Sequence, residues 1–371
     1  METSAGRWIS GPPRVLVAEM RHALSAAAAP EGGLLGAAQR GDENAWRDLV
    51  EPLRAELHAH CYRMLGSVHD ADDALQDTLL RAWRALPGFE GRGSLRAWLY
   101  RIATNSCLKL IQGRPQRVMP LDHGPAADPR EGPAEPRAEV AWLEPYPESP
   151  DASYEQREGV ELAFVAALQH LPPRQRAVLI LRDVLGFSAG EVGEALHAAP
   201  DAVYSILQRA HRAVNERLPE QSQQETLRSL GDRRLKHLAE RFVAAWEDAD
   251  VDAIMALLAD DATIAMPPRP SWFRGHDAIR TFLAGRPLAE GRRWRMVPTR
   301  ANGQLAFVGY GTPANAGEPA HALQVLTLAP DGAIQDITAF LEPHERWIQD
   351  PARISVAWHP RHTGPPNGFS R

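Results

Sequence analysis

The chain has little cysteine: only Cys61 and Cys107 carry a thiol among its 371 residues. Two such distant cysteines form neither a disulfide framework nor the clustered spacing of a metal site. Both lie beside apolar residues in segments of helical pattern, so we expect buried free thiols. The sequence therefore predicts no metal site and no cofactor.

Long apolar runs are also missing. No stretch approaches the roughly 18 residues of a membrane span, and the Ala-rich run near Ala26 is too short for a signal peptide. Positive charge is not in excess either, because the formal net charge is −6. These absences predict a cytoplasmic protein that does not contact membranes. Any DNA-binding surface has to be local.

Residues 61–111 read as two amphipathic helices joined by a Gly-rich turn. Pro87 and Gly88 end the first helix, and Ser94 is the expected N-cap of the second. Each helix has an apolar stripe and a polar face. The polar face of the first helix carries Asp72, Asp73, Gln76 and Asp77, and that of the second carries Arg96, Tyr100, Arg101, Asn105 and Lys109.

The second polar face combines cations, an aromatic ring and an amide, which suits melted nucleic acid. An ordinary solvated helix face is an equally good interpretation of the pattern alone. The ungapped run over residues 70–111 resembles region 2 of the extracytoplasmic-function (ECF) sigma factors. That resemblance implies that the acidic face docks on the clamp of the largest RNA polymerase subunit, and that the second helix melts and reads the −10 element.

Residues 160–218 have the spacing of a helix-turn-helix, with Ser188 capping the first helix and Pro200 opening the second. This segment resembles sigma region 4, which implies binding to the −35 element and to the flap of the second-largest polymerase subunit. The family's Gly-Thr/Ser before the second helix is replaced by His197-Ala198-Ala199. The residues expected to face DNA are Ser205, Gln208, Arg209 and Arg212.

Residues 235–343 change character, because three helical segments alternate with, and then give way to, strands of period two. Asn302-Gly303 and Asp331-Gly332 predict hairpin turns. The pattern predicts an α+β cone and resembles the SnoaL-like (nuclear transport factor 2-like) fold. The resemblance implies a regulatory domain whose mouth admits a small ligand or a peptide. The candidates for a pocket in the cone are Asp261, His276 and Asp336.

The expected fold is thus multidomain, with two all-α sigma domains followed by an α+β cone. Residues 113–152 are Pro-rich and acidic, which predicts an extended and mobile linker without a core. The complete predicted order is a disordered leader 1–33, region 2 at 34–112, linker 113–152, region 4 at 153–218, linker 219–233, cone 234–345 and tail 346–371.

The favoured interpretation is a sigma factor that binds core polymerase and promoter DNA and has no catalytic residue, because polymerase performs the chemistry. Two alternatives stay open. A helix-turn-helix repressor with a ligand-binding cone accounts for everything except residues 61–111, and binding of core polymerase discriminates it. A SnoaL-like enzyme scaffolded by helices would show turnover by the isolated cone.

Overall fold

A computed structural model describes residues 28–91, 93–137, 139–147, 159–312 and 320–341. The chain divides into two compact units: the first is Met1–Asp122, Arg137–Tyr146 and Ser153–Glu225, and the second is His123–Pro136, Pro147–Ala152 and Thr226–Arg371. The predicted tail 346–371 and most of the predicted leader lie outside the described residues.

The first half of the first unit is a helical bundle. Its helices are α1 (Ala28–Gln39), α2 (Glu43–Leu65), α3 (Val68–Ala85) and α4 (Leu95–Ile111). The predicted N-cap of α4 is confirmed, because Ser94 accepts the amide of Ala97. Asp42 caps α2 by accepting the amides of Asn44 and Ala45. α3 is followed by a 3-10 turn at Leu86–Gly88. α2 runs through Pro52 without ending there.

The core of this bundle is apolar but contains a few polar groups with defined partners. Cys61 and Cys107 are free and buried, as predicted. Buried His60 places its Nε2 2.9 Å from Thr104 Oγ1. Desolvation, and after it the nearby Arg63 and Arg96 cations, lowers the pKa of His60 to about 3. This imidazole is therefore neutral in the folded protein.

The second half of the unit holds the predicted helix-turn-helix. Helix α5 is Leu162–Gln169, and α6 (Pro173–Leu179) continues into a π-helical turn at Ile180–Val184. The helix-turn-helix itself consists of α7 (Ala189–Leu196) and α8 (Pro200–Asn215). Val203, Ala210 and Val214 of α8 are fully buried, which fixes the rotation of this helix about its axis.

The second unit is the predicted α+β domain. Its helices are α9 (Gln223–Glu247), whose first residues belong to the first unit, α10 (Val251–Met255) and α11 (His276–Gly285). One sheet of six strands has the order β2-β1-β6-β5-β4-β3. The strands are β1 (Leu258–Ala265), β2 (Trp272–Arg274), β3 (Arg293–Ala301), β4 (Gln304–Thr312), β5 (Ala320–Leu328) and β6 (Ile334–Leu341).

The two predicted turns join neighbouring strands. Asn302 and Gly303 both have positive φ, 53° and 69°, and directly connect the paired residues Ala301 and Gln304. This is the geometry that a two-residue hairpin requires. Asp331 and Gly332 lie between β5 and β6, as predicted. One face of the sheet packs against the helices through a core that includes Phe242, Phe307 and Ile337.

Three expectations about connecting segments were wrong. Helix α1 begins at Ala28, inside the predicted disordered leader. Residues 219–233 are not simply a linker, because α9 begins at Gln223 and only Gly231 interrupts it, with φ 72° and ψ 158°. The Pro-rich segment does bury apolar side chains: Leu143 is 1% exposed, and Met119 and Trp142 are buried too.

Candidate polymerase and promoter surfaces

The four polar residues predicted on α3 lie along one side of that helix, but they differ in freedom. Asp73 and Gln76 are exposed. Asp72 lies 3.2 Å from His58 Nε2, and Asp77 accepts hydrogen bonds from Arg81 Nε at 2.7 Å and Ser106 Oγ at 2.9 Å. Partial burial raises the pKa of Asp77, but these two hydrogen bonds together with the charges of Arg81 and Lys109 outweigh it and hold the pKa below its usual range.

An apolar residue lies on the same side of α3, about one turn beyond Gln76. Leu80 is 47% exposed, one of three large hydrophobic residues described as exposed. It follows Asp73 by seven residues and Gln76 by four, so all three side chains lie on one stripe. The sequence did indicate this exposure, because Leu80 falls outside the apolar stripe of α3 that Ala71, Leu75 and Ala82 form. This side of α3 is therefore acidic from Asp72 to Asp77 and apolar at Leu80.

The predicted face of α4 separates into an open part and a covered part. Arg101, Asn105 and Lys109 are exposed and recur every four residues, so they form one stripe. Tyr100, however, is 1% exposed, and its hydroxyl donates to Glu56 Oε2 at 3.2 Å. Burial raises the pKa of Tyr100. The prediction that this ring is available for base stacking was wrong.

Arg96 is half-buried beside Tyr100. Its guanidinium pairs with Glu56 at 3.2 Å and lies over the rings of Tyr100 and Phe187, 4.8 and 5.1 Å from their centroids. The edge of Phe187 also meets Tyr100, with centroids 5.4 Å apart. Glu56 belongs to α2, and Phe187 precedes α7. The helical pattern of α4 cannot reveal partners this distant in sequence.

The helix-turn-helix is built by local signals. Ser188 and Glu191 form a reciprocal capping box at the start of α7. His197 takes the left-handed conformation that ends α7, with φ 52°, at the site where the family's glycine was expected. Gly193 permits the tight turn, because a Cβ there would meet Ala198 O at 2.5 Å. The departure at residues 197–199 thus leaves the motif intact.

All four residues predicted to face DNA are exposed on α8, namely Ser205, Gln208, Arg209 and Arg212. The structure adds one residue that the sequence reading missed. Tyr204 is 51% exposed and precedes Gln208 by one turn. The sequence did offer a signal for Tyr204, because the helical spacing of the buried residues Val203, Ala210 and Val214 leaves Tyr204 off their apolar stripe.

Part of the Pro-rich segment docks within the first unit, at the junction of α2 and α3. The Glu144 carboxylate accepts hydrogen bonds from Ser67 Oγ and from Val68 N, both at 2.9 Å. Its backbone amide donates to Gly66 O, and its carbonyl accepts the Tyr62 hydroxyl at 2.7 Å. A carboxylate at the first amides of α3 suits the helix dipole. The segment is thereby anchored through both its backbone and its side chain.

Another part of the same segment docks within the second unit, along β2. Ala127 N donates to Trp272 O at 2.8 Å, and the Trp272 indole donates to Gly124 O at 2.8 Å. Ala134 is held twice, because its amide donates to Ser271 Oγ and its carbonyl accepts from Arg269 Nη1. β2 is an edge strand, and Ala127 N bonds one backbone group that an edge otherwise leaves free, the carbonyl of Trp272.

The three candidates for the cone do not form a pocket inside it. Thr263 and Asp336 are directly paired residues of β1 and β6, joined by a 2.6 Å hydrogen bond. Ala262, Ile264 and Ile337 belong to the helix-covered core, so alternation places Thr263 and Asp336 on the other face. Burial raises the pKa of Asp336.

The other two candidates have their own partners. Exposed Asp261 accepts a hydrogen bond from Gln335 Nε2 at 3.0 Å, and the His276 Nε2 lies 3.1 Å from Ala259 O. The interior holds two other polar atoms that sequence reasoning did not select. Trp246 Nε1 and Gln324 Oε1 are buried without a hydrogen-bond partner within the described residues.

The expectations about metal sites and membrane spans can be compared with the described part of the chain. Within it, no group of three or more His, Cys, Asp or Glu residues is placed to hold a metal ion. No helix there combines the length and apolarity of a membrane span.

Comparison with known proteins identifies the class of each part. Sigma-70 region 2 matches residues 49–115, sigma-70 region 4 matches residues 161–214, and a SnoaL-like domain matches residues 239–337. These matches, in this order, define a sigma factor of the sigma-70 type with an appended α+β domain.

Individual relatives narrow the class. The ECF sigma factor SigG of Mycobacterium tuberculosis is 43% identical over 312 residues, which is 82% of each chain. SigW of Bacillus subtilis is 28% identical, over 48% of this chain and 92% of its own. The crystal structure of M. tuberculosis SigJ shares the fold, with a TM-score of 0.52 at 21% identity, covering 81% of this chain and 98% of that one.

The chain belongs to the ECF RNA polymerase sigma factors. It therefore binds core RNA polymerase and promoter DNA and directs transcription initiation. The repressor alternative leaves the region 2 match unexplained, and the relatives compared above are sigma factors rather than enzymes.

Proposed function

We propose that the exposed part of the α3 face, Asp73, Gln76 and Leu80, docks on the clamp of the polymerase largest subunit. Asp72 and Asp77 flank it and are already held, Asp72 by His58 and Asp77 by Arg81 and Ser106. The exposed carboxylate and the apolar side chain together suit a partner surface that is basic around an apolar patch. This surface is the observation that carries the proposal.

We further propose that the exposed α4 stripe of Arg101, Asn105 and Lys109 contacts the melted −10 element. Two cations and an amide at every fourth position can follow a phosphate backbone and reach one unpaired base. Arg96 and Tyr100 instead brace this helix against Glu56. On α8, the exposed polar set contacts the −35 element, while the helix-turn-helix binds the polymerase flap.

Run-off transcription with core polymerase tests this assignment. Alanine at Arg101 and Lys109 should lower open-complex formation, whereas alanine at exposed Arg47 and Arg54 of α2 removes the same charge elsewhere and should not. A second template with a pre-melted −10 element distinguishes a defect in contacting the −10 bases from a defect in melting the DNA. If both double variants behave like the wild type on both templates, the α4 stripe does not bind the −10 element.

We also propose that the SnoaL-like domain regulates the sigma factor by holding the segment between regions 2 and 4. The observation that carries this proposal is the double attachment of Ala134 to Ser271 and Arg269, beside the bonds that Trp272 makes. A small ligand or a peptide was expected for this domain, and the protein's own linker is such a peptide. In ECF sigma factors the linker threads toward the polymerase active-site cleft, so a held linker restrains assembly.

The double variant Arg269→Ala with Ser271→Ala tests the regulatory role. It removes both side chains that hold Ala134, and we expect higher run-off activity at limiting sigma concentration. Thr281→Ala is a matched control, because its hydroxyl bonds only within its own helix, to Asp277 O. A chain ending at Glu225, the last residue of the first unit, should be active as well. Unchanged activity in both would refute the regulatory role.

A further inference from the structure

The recognition helix α8 exposes an aromatic side chain that no role described so far explains. Tyr204 is 51% exposed, although burying such a ring is normally favourable. It cannot turn inward, because its neighbour Val203 is fully buried and fixes the helix rotation. The ring therefore projects from the first half of α8 into solvent.

The surroundings of Tyr204 indicate what it contacts. With about 100° between successive helical residues, Tyr204 lies roughly 40° from Gln208 and 80° from Arg212 around the axis. Gln208 is suited to an adenine edge, and Arg212 to a phosphate or a guanine. Asp201, one turn earlier, is the only acidic residue on this part of the face. The neighbours thus favour DNA over a protein partner.

The position along the helix is also informative. In a helix-turn-helix, the N-terminal residues of the second helix reach base edges in the major groove. Tyr204 is the fifth residue of α8, which begins at Pro200. An apolar ring at this depth of the major groove meets the C5-methyl group of thymine, the one apolar group displayed there.

We propose that Tyr204 selects thymine at one position of the −35 element by packing its ring against the C5-methyl group. The inference rests on the proposed −35 role of α8. Its ring makes the contact, and its hydroxyl is dispensable for the choice of thymine. Arg209 and Arg212 supply affinity that does not depend on this base.

The test uses holoenzyme formed from the full-length chain and core polymerase. Binding selection from DNA with a randomised −35 region gives the base preference at each position for the wild type, Tyr204→Ala and Tyr204→Phe. We expect one position that prefers thymine in the wild type and in Tyr204→Phe, and has no preference in Tyr204→Ala. The other positions should be unchanged. Thermal melting of the variants should match the wild type because the side chain is exposed.

Deoxyuridine lacks the C5-methyl group of thymine and therefore tests whether Tyr204 contacts that group. Replacing the selected thymine by deoxyuridine removes one buried carbon, so wild-type binding should weaken about fourfold. Tyr204→Ala should bind the two DNAs equally. Equal binding of both DNAs by the wild type overturns the proposal, as does a thymine preference retained by Tyr204→Ala. If Tyr204→Ala instead loses polymerase affinity without a change in base preference, the ring contacts protein. Absence of any −35 preference in the wild type would refute the role of α8 as well.

Discussion

Gly66 offers a direct test of how the first unit is assembled. It ends α2 in the left-handed conformation with φ 68°, and three segments converge on its α-carbon. A Cβ there would lie 2.8 Å from Leu143 Cδ1, 3.1 Å from Gln169 Cδ and 3.2 Å from Arg117 Cδ. Gly66→Ala therefore combines backbone strain with overpacking at the docking site of the linker and of α5.

The magnitude follows from these two contributions. A non-glycine residue in the left-handed region costs about 1–2 kcal/mol, and overpacking costs about 1–3 kcal/mol. Their sum is about 2–5 kcal/mol. Gly186→Ala is the matched control, because Gly186 has φ 72° but nothing within 4 Å of the added Cβ. Gly186→Ala should therefore lose only the stability that corresponds to the strained backbone, without the cost of overpacking.

Hydrogen exchange followed by mass spectrometry measures the effect locally in the full-length chain. Amides at the α2–α3 junction and in residues 139–146 should lose protection by about 30-fold or more in Gly66→Ala, since each 1.4 kcal/mol is tenfold. The same amides should be unaffected by Gly186→Ala. Equal protection in the two variants would refute the idea that linker and α5 pack over Gly66.

Asp73→Lys should weaken core-polymerase binding by about several kcal/mol through like-charge contact, measured by anisotropy at moderate salt. Asp48→Lys makes the same charge change at an exposed position of α2 and should leave core-polymerase binding unchanged. Gly193→Ala should lower the melting temperature through about 1–3 kcal/mol of overpacking against Ala198. The pKa of His60 falls from 6.5 to about 3 on folding, so stability should decline by about 1.4 kcal/mol per pH unit as pH falls between those values. His60→Gln should remove that slope in urea titrations. A slope that persists contradicts the burial argument.

Short-range signals were sufficient for much of the secondary structure. The caps at Asp42, Ser94 and Ser188 and the turn at Asn302-Gly303 follow from the preferences of a few adjacent residues. The order of helices and strands follows from their periods. These features depend on neighbours in sequence, and sequence patterns report neighbours well.

Several of the errors involve partners far apart in sequence. Tyr100 was assigned to an open face because its own helix leaves it there, yet Glu56 and Phe187 cover it. Asp336 was chosen as a pocket candidate because it is a carboxylate in the predicted cone, and an irregular pairing of β5 with β6 interrupts the strand alternation beside it. Strand alternation around Ala262 and Ile264 would have placed Asp261 off the core face. For Asp336, only the pairing with Thr263 reveals the face.

The Pro-rich linker shows why composition alone misjudged order. Proline cannot donate a hydrogen bond, so residues 123–136 cannot form a full strand beside β2. Two of the amides between the prolines, those of Ala127 and Ala134, donate instead. Composition correctly indicates that the segment has no core of its own, but it cannot show that another part of the chain supplies one.

This sparse attachment also suits a regulatory contact. Four hydrogen bonds hold Gly124, Ala127 and Ala134 to Trp272 of β2 and to Arg269 and Ser271 just before it. At about 0.5–1.5 kcal/mol net each, they stabilise the docked linker by about 2–6 kcal/mol. A shift from mostly docked to mostly released needs a differential affinity of the same size, about 5.5 kcal/mol. Polymerase binding to the released linker can supply that difference, whereas a fully paired strand of the same length would resist it.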